Sequence, residues 1–222
     1  KAGSYYEPFD LRRNPADEKS TWRHIDNPKG EIKELQRRIT KGILTSISFD
    51  DHVLGGLHGK SIHDNLQLHI GTPLLVTLDI TQCFPSINDL MVFRMSQRRL
   101  GCSTEVAGLL TKLTTFQHRL PQGAPSSSII ANLVLEPLHR KIALIAEAYG
   151  LEWSVYVDDI AISGRRAREA MTPNIKEIQR EGFRVSHRKS KVMPEHESQQ
   201  LTGGVVNRKR SAGRKRLDQI RE

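Results

Sequence analysis

The chain has 222 residues, with 34 Lys and Arg against 25 Asp and Glu, a formal net charge of +9 and two cysteines. This length is enough for one large domain with sub-lobes. No apolar run reaches the roughly 18 residues of a membrane span. Two cysteines are too few for a disulfide framework or a cysteine zinc site. The first residues lack the apolar region of a secretory signal, so we expect a cytoplasmic protein with no membrane partner, and a start at Lys1 instead of Met suggests a trimmed or partial chain.

The first predicted element is an amphipathic helix over EIKELQRRITKGILTS (31–46), whose apolar residues recur mostly three or four positions apart. A strand is predicted at 73–80, where PLLVTLDI is rich in apolar and β-branched residues. The stretch that follows predicts a second helix, with Asn88 as its N-cap and Gly101 as its C-terminal stop.

The second half of the chain begins with a long predicted helix, from Ser126 to Gly150, which carries Pro137 inside and is therefore expected to kink. Two short strands are predicted after it, at 153–157 and 160–163. Because helices alternate with few strands, the pattern indicates an α+β fold.

Three aspartates stand at the ends of predicted strands. Asp158 and Asp159 lie between the last two strands, so we expect them at the tip of a tight hairpin, and a solvated hairpin corner is the simpler interpretation of the pair. Asp79 ends the strongest strand and has few polar neighbours, and an isolated buried carboxylate tends to be neutralised, paired or bound to a cation. Converging aspartates would suit Mg²⁺, which prefers oxygen ligands, and two such ions can promote phosphoryl transfer.

Basic residues cluster near the end of the chain. In RKRSAGRKR they are Arg208, Lys209, Arg210, Arg214, Lys215 and Arg216, with no acidic residue among them. Such a cluster favours a polyanionic partner, because each Lys or Arg near a phosphate releases condensed counterions. A basic surface without a partner is the alternative, and we expect nucleic acid.

Five blocks of the sequence resemble the palm motifs of reverse transcriptases, in the same order and at similar spacing. They are LLVTLDITQCFPSI, LPQGAPSSSIIANLVL, YVDDIAIS, EGFRVSHRKSKV and LTGGVVN, and the resemblance runs from about Arg23 to the C-terminus. Agreement of five separate blocks is a specific signal, whereas YVDD alone is not. The resemblance implies a right-hand polymerase fold with fingers and palm, an antiparallel palm sheet backed by helices, and a short or missing thumb.

Within this family the chain is most similar to bacterial retron reverse transcriptases. Those carry an Asn-Ala-x-x-His block before the first palm motif and a Val-Thr-Gly triplet after the last, and the matching segments here are NLQLH (65–69) and LTG (201–203). Leu66 and Leu201 replace the family's Ala and Val, and YVDD replaces the more usual YADD, so group II intron and other phage-defence reverse transcriptases stay open. His69 is a family marker, more often a buried structural group than a ligand.

The resemblance also implies an organisation and a set of chemical roles. The expected segments are fingers at 1–72, palm at 73–104, a fingers–palm connection at 105–121, palm again at 122–206 and the start of a basic thumb or tail at 207–222. Asp79, Asp158 and Asp159 would bind two Mg²⁺ ions, with Mn²⁺ as an alternative and the Ile80 carbonyl as an extra ligand. Lys189 would donate a proton near the leaving pyrophosphate.

Further residues are implied to bind the nucleotide. Phe84 matches the ring that excludes a ribose 2′-OH, with core packing as the alternative. Gln122 and Gly123 would lie against the incoming nucleotide and template base, with an ordinary helix-entry loop as the alternative. Lys19 and Arg23 would hold the triphosphate, since basic groups grip phosphate oxygens.

The implied activity is that of an RNA-directed DNA polymerase, which extends a primer 3′-hydroxyl with dNTPs. Its expected partners are an RNA template, a DNA or RNA primer, a cognate non-coding RNA and an effector protein in antiviral defence. Two alternatives are a non-catalytic nucleic-acid-binding scaffold of the same fold and a polymerase that makes repeats or untemplated DNA. Intact aspartates at all three positions weigh against the scaffold.

Overall fold

The computed structural model describes residues 5–12 and 22–207, and the backbone of 211–212. The described chain divides into two compact units, the first drawn from Lys1–Ser48 and Gln82–Val134 and the second from Phe49–Thr81 and Leu135–Glu222. Within the described ranges, no helix has the length and apolar character needed to cross a membrane.

Helices and strands alternate along the described chain. In chain order the elements are β1 (Tyr6–Arg12), β2 (Trp22–Pro28), α1 (Gly30–Gly42), a 3₁₀ turn (Leu44–Ser46), α2 (Ile62–Leu68), β3 (Leu74–Asp79), α3 (Cys83–Ser86), α4 (Asp89–Leu100), α5 (Thr104–Thr114), α6 (Ser127–Tyr149), β4 (Glu152–Tyr156), β5 (Asp159–Ser163), α7 (Ala167–Arg180), β6 (Lys191–Pro194), β7 (Gln200–Leu201), β8 (Gly204–Val205) and β9 (Ser211–Ala212).

The first unit combines a two-stranded ribbon with helices. β1 and β2 pair antiparallel, with Tyr6 opposite Pro28 at one end. The predicted helix at 31–46 ends earlier than expected, at Gly42, and continues only as the 3₁₀ turn, because glycine is a poor helix former. α4 confirms both predicted ends: the Asn88 side chain accepts from the Met91 amide, and Gly101 is left-handed, with φ of 67°.

The second unit is built on a four-stranded sheet in the order β4-β5-β3-β6, and each pair is antiparallel. The three predicted strands are confirmed as β3, β4 and β5, each within one residue of its expected ends. Leu75, Leu78 and Ile162 fill the centre of the sheet and are fully buried. α7 packs against β3 and α2 against β4, so the predicted antiparallel sheet backed by helices is confirmed.

The remaining strands of the second unit form a small sheet, in the order β7-β8-β9. β7 and β8 are joined by Thr202 and Gly203, whose φ values of 43° and 84° are both left-handed, as a two-residue hairpin turn of type I′ requires. The long predicted helix is confirmed as α6, which contains Pro137, and its kink stays a prediction.

Candidate active site

The hairpin of β4 and β5 has a two-residue turn. Tyr156 pairs with Asp159, so Val157 and Asp158 are the two central residues. Val157 has a φ of 61° while Asp158 has no positive φ, which is the pattern of a type II′ turn. A β-branched residue at positive φ is strained, by roughly 1–3 kcal/mol. The predicted tight hairpin is confirmed. Of the two aspartates expected at its tip, only Asp158 lies in the turn, since Asp159 is the first residue of β5.

The structure brings the three predicted carboxylate residues onto adjacent backbone positions. Asp79, the last residue of β3, is the direct cross-strand partner of Asp159. The Ile80 amide donates to the Asp158 carbonyl at 3.0 Å, which fixes the turn beside the end of β3. Opposed residues in an antiparallel pair have Cβ atoms about 5 Å apart on one face of the sheet. Three acidic side chains therefore originate at one corner of this sheet.

Lys189 lies at the same corner. Its Nζ donates to both carboxylate oxygens of Asp79, at 2.9 and 2.8 Å. The backbone holds this segment in place, because the Ser186 amide donates to the Asp79 carbonyl at 2.8 Å and the Lys189 amide donates to the Ser186 carbonyl at 3.1 Å. The Asp79 side chain is only 7% exposed and that of Lys189 is 38% exposed. The ammonium group thus neutralises a buried carboxylate, one of the outcomes expected from sequence.

These residues fit a hard divalent cation by the chemistry of their donors, since carboxylate oxygens are its preferred ligands. The side chains as they stand are not gathered around a common point: among residues 5–12 and 22–207, no group of three or more His, Cys, Asp and Glu is arranged to hold a metal ion. The reason at Asp79 is its ion pair, because both of its oxygens face the Lys189 ammonium group. A cation at this corner would therefore exchange with Lys189 for the Asp79 carboxylate.

In the first unit, three of the predicted nucleotide-binding residues lie together. The Asp26 amide donates to the Gln122 carbonyl at 2.8 Å. With the Gln122 side-chain amide turned so that its nitrogen faces the His24 carbonyl, it would donate to that carbonyl and accept from Arg23 Nε, both at 3.2 Å. Gly123 has a φ of 106°, and a Cβ there would lie 2.7 Å from the Ile25 side chain. The loop before α6 is thus fastened to β2 by contacts that glycine alone permits.

The structure describes some of the other residues that were predicted to form the site, and the rest lie outside the described residues. Phe84 lies in α3 of the first unit and is partly exposed. Ile80 is buried directly after Asp79, and its amide is the donor to the turn described above. Lys19 and the cluster of Arg208, Lys209, Arg210, Arg214, Lys215 and Arg216 lie outside the described residues.

Gly55 contacts the hairpin and was not anticipated from the sequence. Leu54 and Val155 are joined by a backbone hydrogen bond of 2.9 Å, which lays this segment along the outer edge of β4. A Cβ at Gly55 would lie 2.6 Å from the Tyr156 carbonyl carbon and 2.7 Å from Val157 Cγ2, and would also collide with the Val157 amide nitrogen. The only sequence signal was the Gly-Gly pair at 55–56, which is compatible with any turn.

Most of the chain matches a known protein family. Residues 13–205 match the model described as reverse transcriptase (RNA-dependent DNA polymerase). The chain is 29% identical over 203 residues to the retron Ec86 reverse transcriptase of Escherichia coli, and 30% identical over 209 residues to the retron Mx65 reverse transcriptase of Myxococcus xanthus. These alignments cover 90% and 83% of this chain but 63% and 48% of the two relatives. The chain thus spans between about half and two thirds of the relatives' length.

Solved structures with a similar backbone are much more distant in sequence. A telomerase from Candida albicans, in complex with a TWJ fragment of telomeric RNA, superposes with a TM-score of 0.64 at 9% identity, over 94% of this chain and 46% of that chain. An apo telomerase from Candida tropicalis, truncated from its C-terminal domain, gives 0.59 at 10% identity, over 95% of this chain and 57% of that chain. At such identities the similarity shows the fold alone.

Proposed function

Because the chain belongs to the reverse transcriptase family, we propose that it is an RNA-directed DNA polymerase of the retron type. The observation that carries the proposal is the register that pairs Asp79 with Asp159 and sets Asp158 beside them, within the chain segment that matches the family. The relatives reported above, which are retron reverse transcriptases, support the subfamily. So do the segments NLQLH and LTG.

Members of the family use divalent metal ions, and we propose two Mg²⁺ ions, with Mn²⁺ as a substitute, held by Asp79, Asp158 and Asp159. When bound there, such ions would stabilise negative charge on the reacting phosphate. In the proposed reaction the primer 3′-hydroxyl loses its proton to solvent and its oxygen bonds to the α-phosphorus of a dNTP, the bond from that phosphorus to the bridging oxygen breaks, and pyrophosphate leaves. Lys189 holds the proton that it would give to the pyrophosphate.

The first unit supplies the proposed nucleotide contacts. The Arg23 guanidinium group, which extends from β2 of the ribbon beside the Gln122 side chain, would hold triphosphate oxygens. The backbone at Gly123 would lie against the nucleotide, and the partly exposed ring of Phe84 would exclude a ribose 2′-OH. In family terms, we propose that the ribbon β1–β2 belongs to the fingers and the four-stranded sheet to the palm, with the segment boundaries expected from sequence.

The proposed partners follow from this assignment. They are an RNA template, a DNA or RNA primer, a cognate non-coding RNA like those of retrons, and an effector protein in antiviral defence, all in the cytoplasm. The two cysteines are both free thiols, which is consistent with a reducing compartment. Sequencing of the RNA and DNA that co-purify with the protein tests these assignments, since a structured RNA joined to short DNA is expected for a retron.

Primer extension on an RNA template with Mg²⁺ tests the activity. We expect the wild-type protein to incorporate labelled dNTP. The rate of incorporation by Asp158→Ala should be at least about a thousandfold lower, because charge stabilisation at the reacting phosphate is lost. Asp51→Ala is the matched control, since the Asp51 side chain is 94% exposed. Tight template–primer binding without extension by the wild type would support the scaffold instead, and sequencing the product separates templated from untemplated synthesis.

A further inference from the structure

The segments NLQLH and LTG, which match two motifs of the family, are joined by a buried chain of hydrogen bonds in the second unit. His69 Nδ1 lies 2.7 Å from Ser163 Oγ, and His69 Nε2 lies 2.8 Å from Ser154 Oγ. Ser154 Oγ donates to Asn65 Oδ1 at 2.5 Å, and Asn65 Nδ2 donates to Thr202 Oγ1 at 3.1 Å. Asn65 and His69 are each only 1% exposed. We call these five residues the hydrogen-bond clamp.

The proton positions in the clamp follow from its donors and acceptors. The Ser154 hydroxyl uses its single proton on Asn65, so it accepts from His69, and His69 Nε2 therefore carries the N–H. His69 Nδ1 is then the acceptor of the Ser163 hydroxyl proton. Burial lowers the pKa of His69 to about 4, which keeps the ring neutral near pH 7. A neutral imidazole with one N–H satisfies both serines.

The two serines lie on the strands that carry the candidate active site. Ser154 is in β4 and Ser163 is in β5. Ser163 pairs with Glu152, so Ser154 is two residues along the neighbouring strand and on the same face of the sheet. His69 therefore bridges both strands of the hairpin whose turn contains Asp158. At its other end, the clamp reaches the β7–β8 turn through Thr202.

The helix that carries Asn65 is fixed independently. α2 begins with a capping box, in which the Ser61 amide donates to the Asp64 carboxylate at 2.7 Å and the Asp64 amide donates to the Ser61 hydroxyl at 3.3 Å. Leu66 and Leu201, which depart from the family pattern within these two segments, pack in one buried cluster beside the clamp. A helix fixed in this way is a firm support from which polar side chains can hold a neighbouring hairpin.

We propose that Asn65 and His69 are positioning residues for nucleotide addition, which hold the β4–β5 hairpin so that Asp159 stands opposite Asp79 and Asp158 stands beside them. This inference rests on the proposed polymerase activity. Both ring hydrogen bonds of His69 go to the hairpin, whereas an apolar side chain at position 69 would fill the space without fixing either strand. Displacement of a reacting group by about 1 Å can lower a rate by about a hundredfold.

The central experiment compares His69→Leu with His139→Leu in single-turnover primer extension. His139 is the matched control, since it is equally deeply buried but neither ring nitrogen has a hydrogen-bond partner within the described chain. We expect His69→Leu to lower the maximal rate of nucleotide addition at least about tenfold, while the KM for dNTP and the Kd for template–primer change less than about twofold. His139→Leu keeps the wild-type rate. Equal rates for both variants would overturn the proposal.

A milder pair of variants covers the case in which His69→Leu fails to fold. Ser154→Ala and Ser163→Ala each remove one partner of His69, and we expect their effects on the rate to be non-additive, because both act through one ring. Independent, multiplying effects would contradict a single clamp. Exchange of the Ile80 amide proton, which donates to Asp158, should accelerate in each variant, whereas an unchanged exchange rate would refute displacement of the turn.

Failure of the proposal and failure of the proposed function give different results. If the wild-type protein adds no nucleotide to any template, the polymerase assignment fails, and the Ile80 exchange measurement still decides whether the clamp holds the turn. If the wild type extends primers and the clamp variants match its rate while they stay folded, the positioning role is wrong and the activity stands.

Discussion

Lys189 Nζ bonds to both carboxylate oxygens of Asp79, at 2.9 and 2.8 Å, at the corner of the sheet where Asp158 and Asp159 also lie. The ammonium group occupies the charge-compensating position that a divalent cation would take. Binding of the proposed cation at Asp79 would therefore be coupled to release of Lys189, and the released ammonium group would stay close to the proposed phosphate site. The observed role of Lys189 as an ion-pair partner and its proposed role as a proton donor would then belong to different stages of the reaction.

Replacement of this lysine tests the coupling. Lys189→Met leaves the buried Asp79 carboxylate without its partner, and we expect the free energy of unfolding to fall by about 1–3 kcal/mol in metal-free buffer. Because its competitor is gone, Mn²⁺ should bind more tightly in the absence of nucleotide, as measured by electron paramagnetic resonance. Lys191→Met, at an exposed position in β6, is the control. Unchanged Mn²⁺ affinity in Lys189→Met would contradict the exchange.

The contact between Gly55 and the hairpin turn predicts a sensitive site. Gly55→Ala would force the backbone at Tyr156 and Val157 to move, so we expect nucleotide addition to slow at least about tenfold, with a loss of stability of about 1–3 kcal/mol. Gly42→Ala is the control, because nothing lies within 4 Å of a Cβ at that position. A Gly55→Ala protein with wild-type kinetics would show that the turn tolerates displacement.

The loop before α6 predicts a different kinetic signature. Gly123→Ala combines a left-handed backbone with a Cβ 2.7 Å from Ile25, so we expect β2 and the Gln122 side chain to shift. The KM for dNTP should rise by about tenfold. Gly108→Ala, where the Cβ has open space in α5, should instead stabilise the protein by about 0.5–1 kcal/mol. Equal KM values in Gly123→Ala and the wild type would refute the nucleotide role of this loop.

Two buried histidines predict a pH dependence of stability. Burial lowers the pKa of both His69 and His139 to about 4, below the value of 6.5 for an unperturbed side chain. Between pH 4 and pH 6.5 the unfolded chain binds more protons than the folded protein, so the free energy of unfolding rises with pH through this window. The rise amounts to up to about 3 kcal/mol for each ring, and the free energy levels off above pH 6.5. Urea unfolding at several pH values measures the slope, which should halve in His139→Leu. An unchanged slope in that variant would contradict the assignment.

Local signals explain what the sequence revealed. The ends of α4 were predictable because Asn88 and Gly101 act through bonds and dihedral angles within one turn. The β4–β5 hairpin was predictable because two apolar runs flank a short polar step. The expectation that Asp79 lies beside Asp158 and Asp159 came from the family resemblance more than from their spacing. The register of β3 and β5 agrees with that expectation.

Features that depend on distant parts of the chain were not predictable in this way. Lys189 and Asp79 are 110 residues apart; the local sequence RKSK shows only a basic segment, and the family resemblance alone assigned Lys189 to the site of Asp79, without indicating their ion pair. The ribbon β1–β2 contains charged residues and Pro8 in place of clean alternation, so it gave no strand signal. The partners of His69 lie 85 and 94 residues away, and a lone histidine among apolar residues indicates only burial.

The sheet order β4-β5-β3-β6 has a consequence for synthesis on the ribosome. β3 emerges early, but both strands that border it, β5 and β6, lie at 159–163 and 191–194, beyond the long segment that belongs to the first unit. A nascent chain therefore carries an apolar strand without its sheet neighbours until residues 159–163 have been translated. Such exposed strand edges favour aggregation and chaperone capture. Premature termination before β5 would leave Asp79 without its cross-strand partner Asp159, so that fragments lacking β5 are expected to be degraded instead of accumulating as partial enzymes.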